Sequence, residues 1–208
     1  MELKLIDISR DIMKTPPYPG DPAPQLSLLS GIAQGDDCNV ALLSTCLHTG
    51  THVDAPLHYL DGGNTVNRYP LDVFIGECYV VEMGPGRITG RTVNQYFPQD
   101  AQRILVKSNG NAWFDVTAAE ELGFMGLRLI GTDAASVGST DNEAAAHKGF
   151  LRCGTAILEN LDLSAVSTGK YFLMAQPLKI AGVEAAPCRA VLLEDYLFWG
   201  GNKNIGFM

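Results

Sequence analysis

Three of the chain's four histidines lie close together, in the stretch HTGTHVDAPLHYLDGG at residues 48–63. His48, His52 and His58 share this stretch with Asp54. Neutral imidazoles and a carboxylate are ligands for a borderline divalent cation such as zinc, and they also suit manganese or iron. A single histidine is more often a hydrogen-bonded structural residue than a ligand, but a structural role explains no such cluster. The spacing therefore predicts a metal site.

The local structure predicted for this stretch is a bent, extended chain. The first two histidines are four residues apart, as two ligands on one helix face would be, but Gly50 and Pro56 oppose a helix. On an extended chain, residues of equal parity lie on one side, and all four candidate ligands are even-numbered. About ten fully extended residues would span ~33 Å, which is too long for one site. The chain must therefore bend, and Gly50 and Pro56 are the residues that permit it.

Two further residues could complete a metal site from elsewhere in the chain. His147 is the fourth histidine and falls in a predicted helix over residues 141–151, which Thr140 and Glu143 would cap. Glu159 ends the apolar run TAILE, where a carboxylate is costly unless it is paired or bound to metal. A surface histidine and a solvated carboxylate at the end of a strand are equally open interpretations of these two residues.

The elements that must position these residues are mostly strands. Apolar runs rich in β-forming residues predict strands at 4–9, 77–83, 103–107, 127–131, 155–159, 171–176 and 190–193. Helices are predicted at 92–97, 117–123 and 141–151. The proline-rich segment at 16–24 predicts an ordered surface loop, in which Tyr18 is either a core aromatic or a substrate contact. These elements predict a strand-rich α/β fold, with residues 1–208 as one domain.

The composition limits the kinds of partner. The chain has 23 Asp and Glu residues and 15 Lys and Arg residues, so its formal net charge is −8. The sequence contains no block of basic residues, so nucleic acid is not expected as a partner. No run approaches the ~18 apolar residues of a membrane span, and the charged start MELKLIDISRDI does not resemble a signal peptide. The five cysteines are scattered and never form a C-x-x-C pair, which indicates buried, reduced thiols. We expect a soluble, cytoplasmic protein.

The segment HTGTHVDAPLH resembles the H-x-G-T-H-x-D-x-P-x-H signature of the cyclase family of metal-dependent hydrolases, which includes the bacterial kynurenine formamidases. Further landmarks occur in the family's order: IDIS at 6–9, PGDP at 19–22, GTDAASV at 131–137, and His147 followed by ILENLDLS at 157–164. The resemblance covers essentially the whole chain. It implies the family's swivelling β/β/α fold, assembled as a homodimer or homotetramer.

The resemblance also implies roles for the clustered residues. It assigns a two-metal centre, with zinc as the first choice and manganese as the alternative, to His48, His52, Asp54, His147 and Glu159. Paired cations lower the pKa of a bound water from ~15.7 toward ~7, which gives a hydroxide able to attack an amide carbon. His58 resembles the family's acid/base residue, which would deliver a proton to the departing nitrogen. With N-formyl-L-kynurenine as substrate, the products would be L-kynurenine and formate.

Three positions depart from the formamidase pattern and bear on the substrate. Tyr18 stands where these enzymes usually have a tryptophan that lines the pocket for the aromatic substrate. Ala135 and Gly138 stand where proline and aspartate are more usual. The resemblance thus predicts a substrate contact for Tyr18. Opening of a cyclic amide such as isatin, with the same metal ligands, is the alternative activity. A non-catalytic protein of the same fold that binds metal or a small molecule is a further alternative, against which His58 argues.

Overall fold

The computed structural model describes residues 4–194, in which strands outnumber helices. The strands are β1 (Lys4–Asp7), β2 (Gln25–Ser30), β3 (Val40–Ser44), β4 (His52–Asp54), β5 (Ile75–Glu82), β6 (Gly86–Ile88), β7 (Arg103–Lys107), β8 (Ala112–Phe114), β9 (Leu129–Thr132), β10 (Ala156–Glu159), β11 (Gly169–Met174), β12 (Ala185–Pro187) and β13 (Val191–Glu194). The α-helices are α1 (Gly90–Tyr96), α2 (Val116–Phe124) and α3 (Glu143–Arg152). Across these residues, no helix is long and apolar enough to cross a membrane.

A nine-stranded sheet in the order β1-β13-β11-β5-β7-β9-β10-β4-β12 forms the frame. Its central strands β5, β7, β9 and β10 run parallel, and α1, α2 and α3 lie in the successive connections between them. Parallel neighbours need such crossover connections, because a tight hairpin can join only antiparallel strands. The other strands of this nine-stranded sheet pair antiparallel, among them β4, which lies between β10 and β12.

Side chains alternate between two apolar cores on opposite faces of the sheet, as the period of two in a strand requires. Ile104 and Ile157 face the helices and pack with Phe150 of α3. Leu105 and Leu158 point to the other face, where residues from β4 and β13 join the same buried cluster. Since these two strands lie near opposite ends of the sheet, the sheet curls around this second core.

The strand-rich α/β class is confirmed, and each predicted strand and helix has its counterpart with ends shifted by a few residues. The predicted cap of the third helix is wrong. α3 begins after Asn142, whose side-chain oxygen accepts hydrogen bonds from the backbone and hydroxyl of Ser139, and Thr140 does not cap it. The side chain of Glu143 accepts a hydrogen bond from Tyr18 instead of returning to the helix end. The five cysteines are free, but Cys38 and Cys153 are exposed, contrary to the expectation of burial.

A separate hairpin of β2 and β3 was not predicted and is exposed along nearly its whole length. Leu26 pairs with Leu43 and Leu28 with Ala41, so these side chains share one face. Leu26 and Leu28 are each 58% exposed, and Leu43 is 45% exposed. The hairpin therefore presents an apolar face that no described part of the chain covers.

Candidate active site

The pairing of β4 with β10 brings three of the predicted residues together. Their antiparallel register sets His52 opposite Glu159 and Asp54 opposite Ile157. Val53 between them enters the core inside the curled sheet, so His52, Asp54 and Glu159 all point to the face that carries α3. His52 and Glu159, which are more than one hundred residues apart in the sequence, thus share one site because β4 and β10 pair in this register.

Bends on either side of β4 place the other two histidines of the motif. Gly50 has φ 71°, and an added Cβ there would lie 3.2 Å from the Cα of Ile12, so this left-handed, crowded turn favours glycine. The turn brings His48 Nδ1 to 3.0 Å from Asp54 Oδ1. Pro56–His58 forms a short 3-10 turn, and the His58 ring centroid lies 4.2 Å from that of His48. The predicted bends are present, although only His52–Asp54 is extended.

His147 reaches the cluster from α3. Its Nδ1 lies 2.8 Å from the carbonyl oxygen of Glu143, one helical turn earlier, which leaves Nε2 directed at the site. Nε2 lies 3.3 Å from Glu159 Oε1 and 3.6 Å from Asp54 Oδ2. His147 is 1% exposed and Glu159 4% exposed, so the surface interpretations of both residues are excluded.

The buried carboxylates of this cluster call for positive charge. Neither Asp54 nor Glu159 forms an ion pair with a lysine or arginine in the described part of the chain, and the ionisable side chains that pair with them there are imidazoles. Burial disfavours the charged imidazolium forms of His52 and His147. The nearby carboxylates have the larger combined effect, and they raise the pKa of His52 to about 9 and that of His147 to about 11. Burial would raise the pKa of Asp54, but the imidazoles, His52 first, hold it well below its usual range.

The cluster fits a divalent metal. Both oxygens of Asp54 and Nε2 of His52 are buried without a hydrogen-bond partner, although imidazole nitrogens lie 3.0–3.6 Å from the Asp54 oxygens. Potential ligand atoms of His52, Asp54 and Glu159 lie within 4.8 Å of one another, and so do those of His48, Asp54 and His58. Asp54 belongs to both groups, as a carboxylate between two ions would.

Other contacts that the sequence did not reveal hold the site in shape. The backbone N–H of Val137 donates to Glu159 Oε1 at 2.7 Å and orients that carboxylate. Asp133 accepts hydrogen bonds from the loop at residues 108–110, including the backbone N–H groups of Ser108 at 2.9 Å and Asn109 at 2.8 Å. Asp133 and Val137 lie in the segment GTDAASV, which the sequence marked as a landmark of the family resemblance without indicating these contacts.

A cavity of about 830 Å³ opens over the cluster. Tyr18 lies in its wall, 38% exposed, and its hydroxyl donates to Glu143 Oε2 at 2.7 Å, so Tyr18 is not a core residue. Ala135 and Gly138 also line the cavity. All three positions that depart from the formamidase pattern thus face the space that a substrate would occupy.

Comparison with known proteins places the chain among hydrolases. The sequence profile of the cyclase family, described as "Putative cyclase", matches residues 6–139. The kynurenine formamidase of Sphingopyxis alaskensis is 36% identical over 205 residues, which cover 92% of this chain and 98% of that protein. A solved structure described as a potential metal-dependent hydrolase with cyclase activity has a TM-score of 0.81 and 28% identity, over 94% of this chain and 100% of that one.

Isatin hydrolase A from Labrenzia aggregata has a TM-score of 0.80 at 20% identity, over 92% of this chain and 93% of that one, and shows the shared fold. Fold, buried cluster and sequence similarity together define a hydrolase, as predicted. The chain belongs to the cyclase family.

Proposed function

We propose that this protein is a metal-dependent amidohydrolase that converts N-formyl-L-kynurenine and water into L-kynurenine and formate. The observation that carries the proposal is the buried His/Asp/Glu cluster beneath an open cavity, in a chain 36% identical to a kynurenine formamidase. Residues 1–208 would act as one domain. The five free cysteines are compatible with a reducing, cytoplasmic location.

The proposed metal ligands are His48, His52, Asp54, His147 and Glu159. We propose that they hold two divalent ions, zinc first and manganese as the alternative, with the two carboxylates between the ions. Ions held there supply water activation, by lowering the pKa of water from ~15.7 toward ~7, and polarise an amide carbonyl. The buried, unpartnered atoms of His52 and Asp54 support this arrangement.

His58 is the proposed acid/base residue. It lines the cavity beside His48, and burial lowers its pKa while Asp54 opposes that effect. A lowered pKa keeps the imidazole neutral near pH 7, so it can take a proton from the attacking water. As the C–N bond breaks, His58 returns that proton to the departing nitrogen. Tyr18, in the cavity wall, is the proposed contact to the substrate.

The experiment that tests this function is formate release from N-formyl-L-kynurenine by the purified protein. We expect turnover as isolated, loss of at least about 90% of it after chelation, and recovery when zinc or manganese is added back. A matched incubation without chelator controls for inactivation. Absence of turnover in protein that still contains bound metal would contradict the formamidase proposal. In that case isatin, a cyclic amide, is the substrate to assay next with the same preparation.

We also propose that a second copy of this chain covers the apolar face of the β2–β3 hairpin. A two-stranded hairpin is marginally stable alone, and an exposed apolar strand face marks an interaction surface. The face around Leu26 and Leu43 is a regular apolar ladder that a symmetry-related copy could match. The resulting assembly is a homodimer, or a homotetramer built from two such pairs.

Light scattering after gel filtration tests this assembly. The double variant Leu26→Ser, Leu43→Ser should weaken self-association by about 10-fold or more, because it removes one cross-strand leucine pair from the apolar face. Leu178→Ser is the matched control, since Leu178 is 57% exposed but lies outside the hairpin. A wild-type protein that remains monomeric at micromolar concentration would show the proposed contact to be wrong.

A further inference from the structure

We propose that Arg10 binds a carboxylate of the substrate and makes the enzyme select amides that carry a carboxylate away from the scissile bond. This inference rests on the proposed function and adds a specificity-determining residue to it. The residues of the metal cluster are not suited to this role, because on the proposed function they hold the ions, and carboxylates such as Asp54 and Glu159 have no hydrogen to donate to an anion. The carboxylate of an amino-acid side group such as that of N-formyl-L-kynurenine has the required chemistry.

The guanidinium of Arg10 is held in one place by backbone carbonyls. Its Nε donates to the carbonyl oxygen of Leu161 at 3.1 Å, and its Nη2 donates to that of Asp133 at 2.9 Å. These acceptors occupy the edge of the guanidinium formed by Nε and Nη2. The outer edge, with the N–H groups of Nη1 and the second N–H of Nη2, makes no hydrogen bond to a described residue and has the fork geometry that matches a carboxylate.

Further hydrogen bonds attach Arg10 to two of the segments that carry the metal cluster. Its backbone N–H donates to Thr51 Oγ1 at 2.8 Å, and Thr51 directly precedes His52. Thr51 Oγ1 donates in turn to the carbonyl oxygen of Asn160 at 2.6 Å, directly after Glu159. Asn160 has φ 58°, an uncommon conformation for a residue other than glycine, which turns the chain toward Leu161. The guanidinium therefore has a fixed position relative to the cluster.

No carboxylate of the described chain forms an ion pair with the Arg10 guanidinium. Arg128 and Arg189 form ion pairs with Asp72 and Asp7, whereas none of the ion pairs between residues 4–194 includes Arg10. Asp162, whose pKa Arg10 helps to lower, accepts hydrogen bonds from the hydroxyl and backbone N–H of Ser164. A guanidinium without an ion-pair partner is thus available to a ligand.

Arg10 lines the cavity, and it is the one lysine or arginine among the described residues that do so. The acidic residues of the wall are engaged elsewhere: Asp133 with its loop, Asp21 with the thiol of Cys46 at 3.2 Å, and Glu143 with Tyr18. In a protein with formal net charge −8, a fixed cation near the site is what would hold a substrate carboxylate. Arg10 is the residue that supplies it.

Product binding and substrate preference test this assignment together. L-kynurenine carries the carboxylate and an α-ammonium group, and 2-aminoacetophenone keeps the aryl ketone and the aryl amine without either. In calorimetry, Arg10→Gln should raise the Kd of L-kynurenine by about 10-fold or more, with a smaller effect of Arg10→Lys and little change for 2-aminoacetophenone. The ratio of kcat/KM for N-formyl-L-kynurenine to that for formanilide, a neutral formamide, should fall by a similar factor through KM.

The control variant is Arg128→Gln, which removes an arginine paired with Asp72 outside the cavity. It should leave the Kd of L-kynurenine and the ratio of the two kcat/KM values unchanged. Metal content and Tm are measured for every variant. Equal weakening of both ligands in Arg10→Gln, or an unchanged Kd for L-kynurenine, would overturn the assignment. A different result would contradict the proposed function alone: metal-loaded wild-type protein that binds L-kynurenine through Arg10 but releases no formate.

Discussion

Replacement of Asp54 by asparagine is expected to remove the bound metal and to reduce formate release by about 10³-fold. Asp54 is the member common to both groups of candidate ligands, and both of its oxygens are buried without a hydrogen-bond partner. Asparagine keeps the size of the side chain but lacks the negative charge and one of the two oxygens that would lie between the ions. Metal content by mass spectrometry and the formate assay measure the two effects.

Thermal stability gives a readout that does not depend on turnover. A ligand that binds only the folded state raises Tm, so chelation should lower the Tm of the wild-type protein and leave that of Asp54→Asn unchanged. Asp61→Asn, an exposed aspartate of the same segment, is the control and should behave as wild type. Folded Asp54→Asn protein with full metal content would show the proposed bridging role to be wrong.

Replacement of His58 by alanine should leave metal content unchanged and reduce kcat by about 10²-fold or more. The reason is that His58 carries the proton to the departing nitrogen, a step that unassisted amide cleavage lacks. The loss should shrink for formanilides whose ring bears electron-withdrawing groups, because a less basic leaving nitrogen needs less protonation. Rates for a series of such substrates with wild type and variant measure this dependence.

The same variant separates three interpretations of His58. Its ligand atom lies within 4.8 Å of those of His48 and Asp54, so loss of metal in His58→Ala would make it a ligand instead of the acid/base residue. Equal losses across all leaving groups would contradict proton transfer to nitrogen. A protein that binds metal and small molecules without catalysis would show no turnover in wild type and no loss of affinity in the variant.

The sequence determined much of the site because its signal is local. His48, His52, Asp54 and His58 lie within eleven residues, and their ligand chemistry depends on residue type and not on the fold. The same holds for the buried strands, such as β7 at Arg103–Lys107, whose apolar runs are visible without tertiary structure. The flanking bends were also predictable, because a glycine such as Gly50 readily adopts a positive φ and a proline such as Pro56 has a fixed φ.

Contacts between distant segments could not be predicted from residue types. The register that sets His52 opposite Glu159 depends on strand pairing, and a shift by one residue would turn Glu159 to the opposite face. The cap expected at Thr140 failed because Glu143 is held by Tyr18, a partner that lies 125 residues away in the chain. Local patterns carry no information about such partners.

The sequence by itself thus predicted the fold class and the identity of the candidate metal ligands. Only the tertiary structure decided that His147 and Glu159 are buried against Asp54, that Tyr18 lines a cavity, and that Arg10 has an unpaired guanidinium there. The physical reason is that ligand chemistry is a property of individual side chains, whereas burial, charge compensation and the shape of a cavity arise from packing between segments far apart in the chain.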